Sequence, residues 1–401
     1  MFQKPTHTLL LFIMVVTGLL GSFRVTAQEV SLSDSATVTL ITVAPGTEIY
    51  AHYGHTAIRV ADPANGIDWV FNYGLFDFNS PNFIYRFVRG ETDYLCGAFD
   101  YTDFLLEYRS ENRDVYEQVL GLTKAEKAAV WQALVRNIQP ENRTYRYNFF
   151  FNNCSTKPRD VVMNSIQGKV DYRTKGYYPT LRSVLHQYTK PYPWTQFGID
   201  FLIGAQADRP ASLSDQQFAP ELLFRSFSTA VVTDSAGKTR PLVLETRQAV
   251  SRTGESLPTS SSLPGPIVVC WMLFAVLTAT TVMEYRKKRP IQALTAVWYG
   301  LAGLVGCLIA FLALFSVHPT THVNYLLLWL NPLHLIFAFG MIFETFRKKI
   351  QRTYLSINLI LQLVALSGFF FLPQQLHPAM WPLLLTMLLR TALGARKTTT
   401  A

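Results

Sequence analysis

Two kinds of hydrophobic pattern divide this chain. In the first 250 residues, short apolar runs alternate with polar ones and are broken by turn residues. Ala36–Val43 alternates and is rich in β-branched residues, which predicts a strand. His55–Ala61 and Ile67–Tyr73 predict two more, joined as a hairpin by the turn-forming Asp62-Pro63-Ala64-Asn65-Gly66. Thr92–Phe99 and Val115–Gly121 read as strands, Asn82–Arg89 and Tyr101–Tyr108 as short helices. Thr123–Ile138 predicts an amphipathic helix. Thr123 and Glu126 form a capping box, and Val130, Leu134 and Ile138 keep helical spacing. After Tyr145–Phe151, a helix is expected from about Cys154 to Ile166. Val231–Val250 reads as a second hairpin around Ala236-Gly237-Lys238. Strands gathered around a few helices predict an α+β domain.

Beyond Pro266 the pattern changes to long apolar runs, near 267–284, 291–316, 323–346, 354–372 and 379–394, which predict an all-α membrane domain of about five transmembrane helices. Ser251–Pro266, rich in Ser, Thr, Gly and Pro, reads as the linker. At the other end, Lys4, the 12-residue apolar core Leu9–Leu20 and the small residues of Val25-Thr26-Ala27 have the form of a secretory signal over residues 1–27. The expected organisation is therefore signal 1–27, soluble domain 28–250, linker 251–266 and membrane domain 267–401.

Charge gives the orientation. The net charge is +9, but Met1–Pro266 holds 25 basic and 25 acidic residues, whereas Ile267–Ala401 holds 11 and 2. The excess thus argues for membrane topology and against a nucleic-acid surface. Arg286–Arg289, Arg347–Lys349 with Arg352, and Arg396-Lys397 flank alternate loops, while Val317–His322 and Pro373–Pro378 carry no Lys or Arg. The positive-inside rule puts the N-terminal domain outside, as the signal does. A multi-pass membrane protein with its soluble domain on the outer side is expected.

Candidate chemistry lies in the soluble domain. Cys154 stands between Asn152-Asn153 and Ser155-Thr156 at a predicted helix start, where free N–H groups lower a thiol's pKa, with Lys157 and Arg159 nearby. His55 heads a strand after Gly54 and is the candidate base. A register that pairs Arg59 with Asp68, Ala57 with Val70 and His55 with Asn72 keeps the apolar faces together and sets an amide opposite the imidazole. Lys157, Arg159, His52 and Tyr53 are candidate substrate contacts. The histidines lack ligand spacing and no acidic cluster accompanies them, so neither metal nor cofactor is expected. Cys96 offers Cys154 an alternative fate, a disulfide in a non-enzymatic membrane scaffold. In the apolar half, Asn331-Pro332 interrupts the third run and His334 follows; a Pro-kinked helix with satisfied amides is the expected reading.

Gly54-His55-Thr56-Ala57-Ile58-Arg59-Val60, then Phe150-Phe151-Asn152-Asn153-Cys154-Ser155-Thr156 with Arg159-Asp160, resembles the Lnb N-terminal periplasmic domain family. More remotely, the order His-then-Cys resembles permuted papain-like folds such as the lecithin:retinol acyltransferase group. Ala205–Pro210 and Asn331-Pro332-Leu333-His334 are similar to further family segments. The resemblance implies a permuted papain-like domain and a lipoprotein N-acyltransferase of the Bacteroides type. In such an enzyme Cys154 takes an acyl chain from a membrane phospholipid as a thioester. The α-amine of a diacylated lipoprotein then accepts it, with His55 as base. A periplasmic cysteine peptidase or amidase, with water as acceptor, is the alternative for the same pair.

Overall fold

The computed structural model describes residues 31–76, 80–254, 263–289 and 291–397. The expected signal over 1–27 and half of the expected linker lie outside them. Seven strands form the centre of the first half: β1 (Thr37–Val43), β2 (His55–Asp62), β3 (Ile67–Leu75), β4 (Asp93–Asp100), β5 (Val115–Leu120), β6 (Thr144–Arg146) and β10 (Val243–Val250). They make one antiparallel sheet in the order β10-β5-β1-β2-β3-β4-β6. The other three, β7 (Lys169–Asp171), β8 (Val231–Thr233) and β9 (Thr239–Pro241), make a small sheet in that order.

Helices cover both faces of the large sheet. On one face Leu40, Ile58, Phe71 and Tyr73 pack with Trp131 and Leu134 of α3 (Lys124–Asn137) and Val162 of α4 (Thr156–Ser165). On the other, Ile41, Ala57 and Val70 pack on Phe104 and Tyr108 of α2 (Tyr101–Ser110). α1 (Phe83–Arg89) precedes β4 and contributes no buried residue. The capping box of Thr123 and Glu126 is formed as expected.

Two strand expectations are corrected. The β2–β3 register pairs Ala57 with Asn72, Arg59 with Val70 and Ala61 with Asp68, two residues away from the expected one. Because side chains alternate with period two, an even shift leaves every residue on its expected face. The expected partners therefore still meet, diagonally: His55 with Asn72, and Arg59 with Asp68 at 2.6 and 2.9 Å. The turn around Gly237 does join β8 and β9, but Val243–Val250 leaves that hairpin and pairs with β5 as the opposite edge of the large sheet.

A third group of elements, which the periodicity does not reveal, lies between β7 and β8: α5 (Leu181–Thr189), α6 (Pro193–Leu202), α7 (Leu213–Gln216) and α8 (Pro220–Ser228). Arg182 of α5, fully buried, binds Asp200 at 2.7 Å, Asp208 at 2.8 and 2.9 Å, and the carbonyls of Ile203 and Gly204. It thereby shapes the short turn Ala205–Asp208, whose start docks on the apolar half: Gly204 N–H donates to Thr320 O and Ala205 N–H to Val323 O, both at 2.7 Å. A Cβ on Gly204 would stand 2.0 Å from Val323 O, so this contact requires glycine.

The apolar half begins with α9 (Pro266–Lys287) and α10 (Gln292–Phe315), both long and apolar enough to cross a membrane. There follow α11 (Leu333–Gly340), α12 (Glu344–Lys349), α13 (Gln351–Gly368) and α14 (Met380–Lys397). The expected third helix, 323–346, is not continuous. A 3-10 turn at Tyr325–Leu328 and a break at Trp329–Pro332 leave α11 and the first residues of α12 as its regular helix. Pro332 has no N–H to donate, and His334 closes the break, taking contacts to Trp329 O at 2.8 Å and Tyr354 Oη at 2.6 Å. Gly303 and Gly306 of α10 let this backbone approach; a Cβ at either would lie within 2.6 Å of it.

Candidate active site

Three neighbouring pieces of backbone bring the chemistry together. β2 begins at His55, directly after Gly54, whose φ is +83° and whose added Cβ would meet Val43 O at 2.5 Å; only glycine fits there. β3 supplies Asn72 and then bulges at Gly74, where an added Cβ would stand 3.3 Å from Cys154 Cβ. The third piece is the loop leading into α4.

Side chains hold that loop rigidly. Asn153, buried, accepts the N–H groups of Ser155 and Thr156 on Oδ1, both at 2.9 Å, and donates through Nδ2 to Phe149 O and Phe218 O. Thr156 Oγ1 accepts Asn153 N–H at 2.8 Å, and Ser155 Oγ donates to Gln217 O. Asn153 thus takes the first N–H groups at the start of α4, while the backbone N–H of Cys154 favours an anion at its own sulfur. The backbone N–H of Thr56, the residue after His55, likewise favours an anion at that sulfur. Both thiols in this domain, Cys96 and Cys154, are free.

His55 Nε2 lies 2.6 Å from Asn72 Oδ1. The amide oxygen can only accept, so Nε2 carries the proton and Nδ1 keeps its lone pair. That is the tautomer a general base for a thiol requires. Burial lowers the His55 pKa to about 4, with Asn72 opposing and the Arg113 charge assisting the fall. Burial likewise raises the Cys154 thiol to about 11, against the two N–H groups and Arg113. The expected depression of the thiol at a helix start is therefore overturned: desolvation of the thiolate exceeds the help of two backbone donors. The pair rests as neutral thiol and neutral imidazole, and Cys154 keeps a partial opening to solvent.

Arg113 is a member that sequence reasoning missed. It is buried, lies over the Tyr108 ring, and is held by Ala44 O at 2.9 Å and Glu111 at 2.7 Å, while Nη2 has no partner among the described residues. Its charge favours both a neutral His55 and an anion at Cys154. No local motif marks it, since the fold alone brings the end of α2 to this point.

The four expected substrate contacts have other neighbours. His52 is buried, stacked 3.7 Å from the Tyr192 ring and bonded to Thr47 O. Tyr53 packs between Phe149 and Tyr188. Arg159 joins α4 to Ser214 O and pairs with Asp160. Lys157 Nζ lies 4.9 Å over the Tyr145 ring, beside the Cys154 loop. Only Lys157 of the four keeps its charge unpaired by a carboxylate among the described contacts. No group of His, Cys, Asp and Glu among the described residues is arranged to hold a metal ion.

Comparison with known families gives two matches. Residues 24–187 match the Lnb N-terminal periplasmic domain, and residues 258–401 match the Lnb transmembrane domain. No curated protein and no solved structure matches the chain.

Proposed function

The chain belongs to the Lnb family, as a membrane protein with a periplasmic domain, and from that premise we propose that it is a lipoprotein N-acyltransferase working through Cys154. The observation that carries this reading is the Asn72–His55 contact, which leaves Nδ1 free to act as a base on the strand whose next residue, Thr56, neighbours the Cys154 sulfur. Histidine on a strand and cysteine heading a helix also support a permuted papain-like arrangement.

In the first half-reaction Cys154 gives its proton to His55 Nδ1 and Sγ attacks the ester carbonyl of a phospholipid. The N–H groups of Cys154 and Thr56, with Arg113, stabilise the tetrahedral oxyanion. The ester C–O bond breaks, the departing lysolipid alcohol takes the proton from His55, and a thioester remains. In the second, the α-amine of a diacylated lipoprotein attacks. His55 accepts its proton, the C–S bond breaks, and the thiol is restored with an amide as product. No cofactor enters either step. Both substrates are lipids, which suits a site tethered to the outer side of a bacterial inner membrane. We read five spans: α9, α10, the broken segment 325–340, α13 and α14. The 18-residue α13 and α14 are about 27 Å long, close to the hydrocarbon thickness.

The direct test is expression in a bacterium that lacks lipoprotein N-acylation. N-terminal lipopeptides should gain one amide-linked acyl chain; diacylated lipopeptides despite normal expression would overturn the reading. The pKa directions add a second expectation. With His55 at about 4 and Cys154 at about 11, the fraction of neutral pair hardly changes between about pH 5.5 and 8.5. Single-turnover thioester formation should therefore be flat over that range. Transfer to the amine should rise with pH up to about 8, where an α-amine loses its proton. A thioester step that itself rises through the ordinary histidine range, about pH 6.5, would contradict the resting state described.

A further inference from the structure

The uncovered apolar surface of α1 lies where the two halves of the protein meet. Ile84, Tyr85 and Phe87 are 78, 54 and 46% exposed on a helix with no buried residue. Its C-terminal end is fastened to the loop after α10: Val317 N–H donates to Arg89 O at 2.8 Å, and His318 Nε2 meets Phe87 O at 2.9 Å. Tyr85 lies 6.4 Å, ring to ring, from Phe311. Phe311 is one helical turn, about 6 Å, before the end of α10. Tyr85 therefore reaches below the end of a membrane-crossing helix, to the depth at which interfacial helices bury their apolar faces, about 5–10 Å. Leu314 and Phe315, at the same end of α10, are exposed, while Arg86 and Arg89 next to the apolar residues of α1 pair with Asp93 and Glu91.

From this helix a run of rings leads to the reaction centre. Phe87 meets Phe83 at 6.2 Å, Phe83 meets Phe76 at 6.1 Å, Phe76 meets Tyr94 at 5.1 Å, and Tyr94 stacks on Tyr147 at 4.1 Å. Tyr147 directly precedes the Asn148–Asn152 bridge, 3.0 and 2.9 Å, that carries the chain into the Cys154 loop. The exposed Tyr50 stands beside the same run, 6.2 Å from Phe76.

We propose that α1 lies in the outer-leaflet interface, with Ile84, Tyr85 and Phe87 among the phospholipid acyl chains, and that Phe83, Phe76 and Tyr94 continue it as the apolar track along which the donor's ester reaches Cys154. The occupant is an acyl chain of a bilayer phospholipid. Continuity with the end of α10 selects lipid over a soluble partner, because a membrane already surrounds that helix. The track rests on the acyl-transfer reading; the membrane seat of α1 does not.

The test uses the full chain in vesicles of phosphatidylethanolamine and phosphatidylglycerol containing a phospholipid with a diazirine in its acyl chain. After photolysis, lipid adducts should map to residues 83–87. None should map to Leu244, an equally exposed apolar residue at the opposite edge of the sheet. Labelling of α9 and α10 without labelling of α1, or cross-linking of α1 to protein instead of lipid, would overturn the proposal. Ile84→Ser with Phe87→Ser should lower acylation of Cys154 by vesicle phospholipid at least tenfold relative to acylation by soluble p-nitrophenyl butyrate. Leu244→Ser should leave that ratio unchanged. An unchanged ratio in the α1 variant would overturn the track. A wild type that labels at α1 but acylates from neither donor would overturn the acyl-transfer reading and the track with it, leaving the membrane seat standing.

Discussion

Cys154→Ser is expected to reduce acyl transfer by on the order of 10³-fold or more, with the protein still folded and at normal membrane level. A hydroxyl is far less acidic than a thiol, and the site is poor at stabilising even a thiolate, since burial holds Cys154 at about 11. His55→Ala should cost nearly as much, because nothing else described near the sulfur can take its proton at neutral pH. Asn72→Ala should cost less, about 10²-fold, the scale of a misplaced catalytic group, since the imidazole would remain but lose the contact that fixes its tautomer and direction. The three act as one device, so Cys154→Ser combined with His55→Ala should be no slower than the worse single variant. Cys96→Ala is the control. Cys96 is a free thiol packed in the core of the large sheet, closed off from substrate, so its loss should leave transfer near wild type. Intact mass of the lipopeptides and of the acyl-enzyme measures every one of these proteins. A Cys154→Ser enzyme within tenfold of wild type would remove Cys154 as nucleophile, and an inactive Cys96→Ala would restore the two cysteines as partners.

The candidate pair is legible in the sequence because its signals are local. Gly54 before His55, and Asn153 with Thr156 around Cys154, are short-range devices, and each sets backbone geometry at its own position. The His55–Asn72 contact follows from sequence even though the register expected for it is two residues out. Face alternation is fixed by burial, whereas the exact partner is set by where the turn closes, here the Pro63–Asn65 turn with Gly66 in the left-handed region. The direction of the thiol's shift is not legible, because a helix start is visible in sequence and the depth of burial is not. Arg113 and the run of rings from α1 to Tyr147 depend on contacts between distant segments, so no window of sequence contains them. The docking of the two halves is equally hidden: Ala205–Pro210 stands out as a segment, but its partners lie more than a hundred residues away.

That docking gives the second large effect. Arg182→Ala is expected to destabilise the protein by about 3–5 kcal/mol, the cost of leaving a buried charge without its partner. Arg182 is fully buried and contacts Asp200, itself fully buried, Asp208, and two backbone carbonyls. Among the described residues its removal leaves Asp200 with His186 alone, at 3.0 Å, and leaves Asp208 without its forked donor. Arg182→Lys should recover only part of the loss, because a single ammonium cannot reproduce contacts made by three separate nitrogens. Arg182→Met with Asp200→Asn and Asp208→Asn should be more stable than Arg182→Met alone, since it removes the stranded charges as well. Thermal unfolding of the detergent-solubilised full chain measures the order of these variants. Gly204 and Ala205, where this turn begins, carry the hydrogen bonds to Thr320 and Val323, so the same variants should become open to proteolysis at that turn before the catalytic sheet unfolds. Cys154, held by Asn153 and β2 rather than by this hub, should still react with a small alkylating reagent, while acylation from vesicle phospholipid falls. Stability equal to wild type in Arg182→Ala would show that the buried ion pairs do not hold the turn. Loss of Cys154 alkylation together with lipid acylation would show that the hub supports the whole periplasmic domain rather than its seat on the membrane.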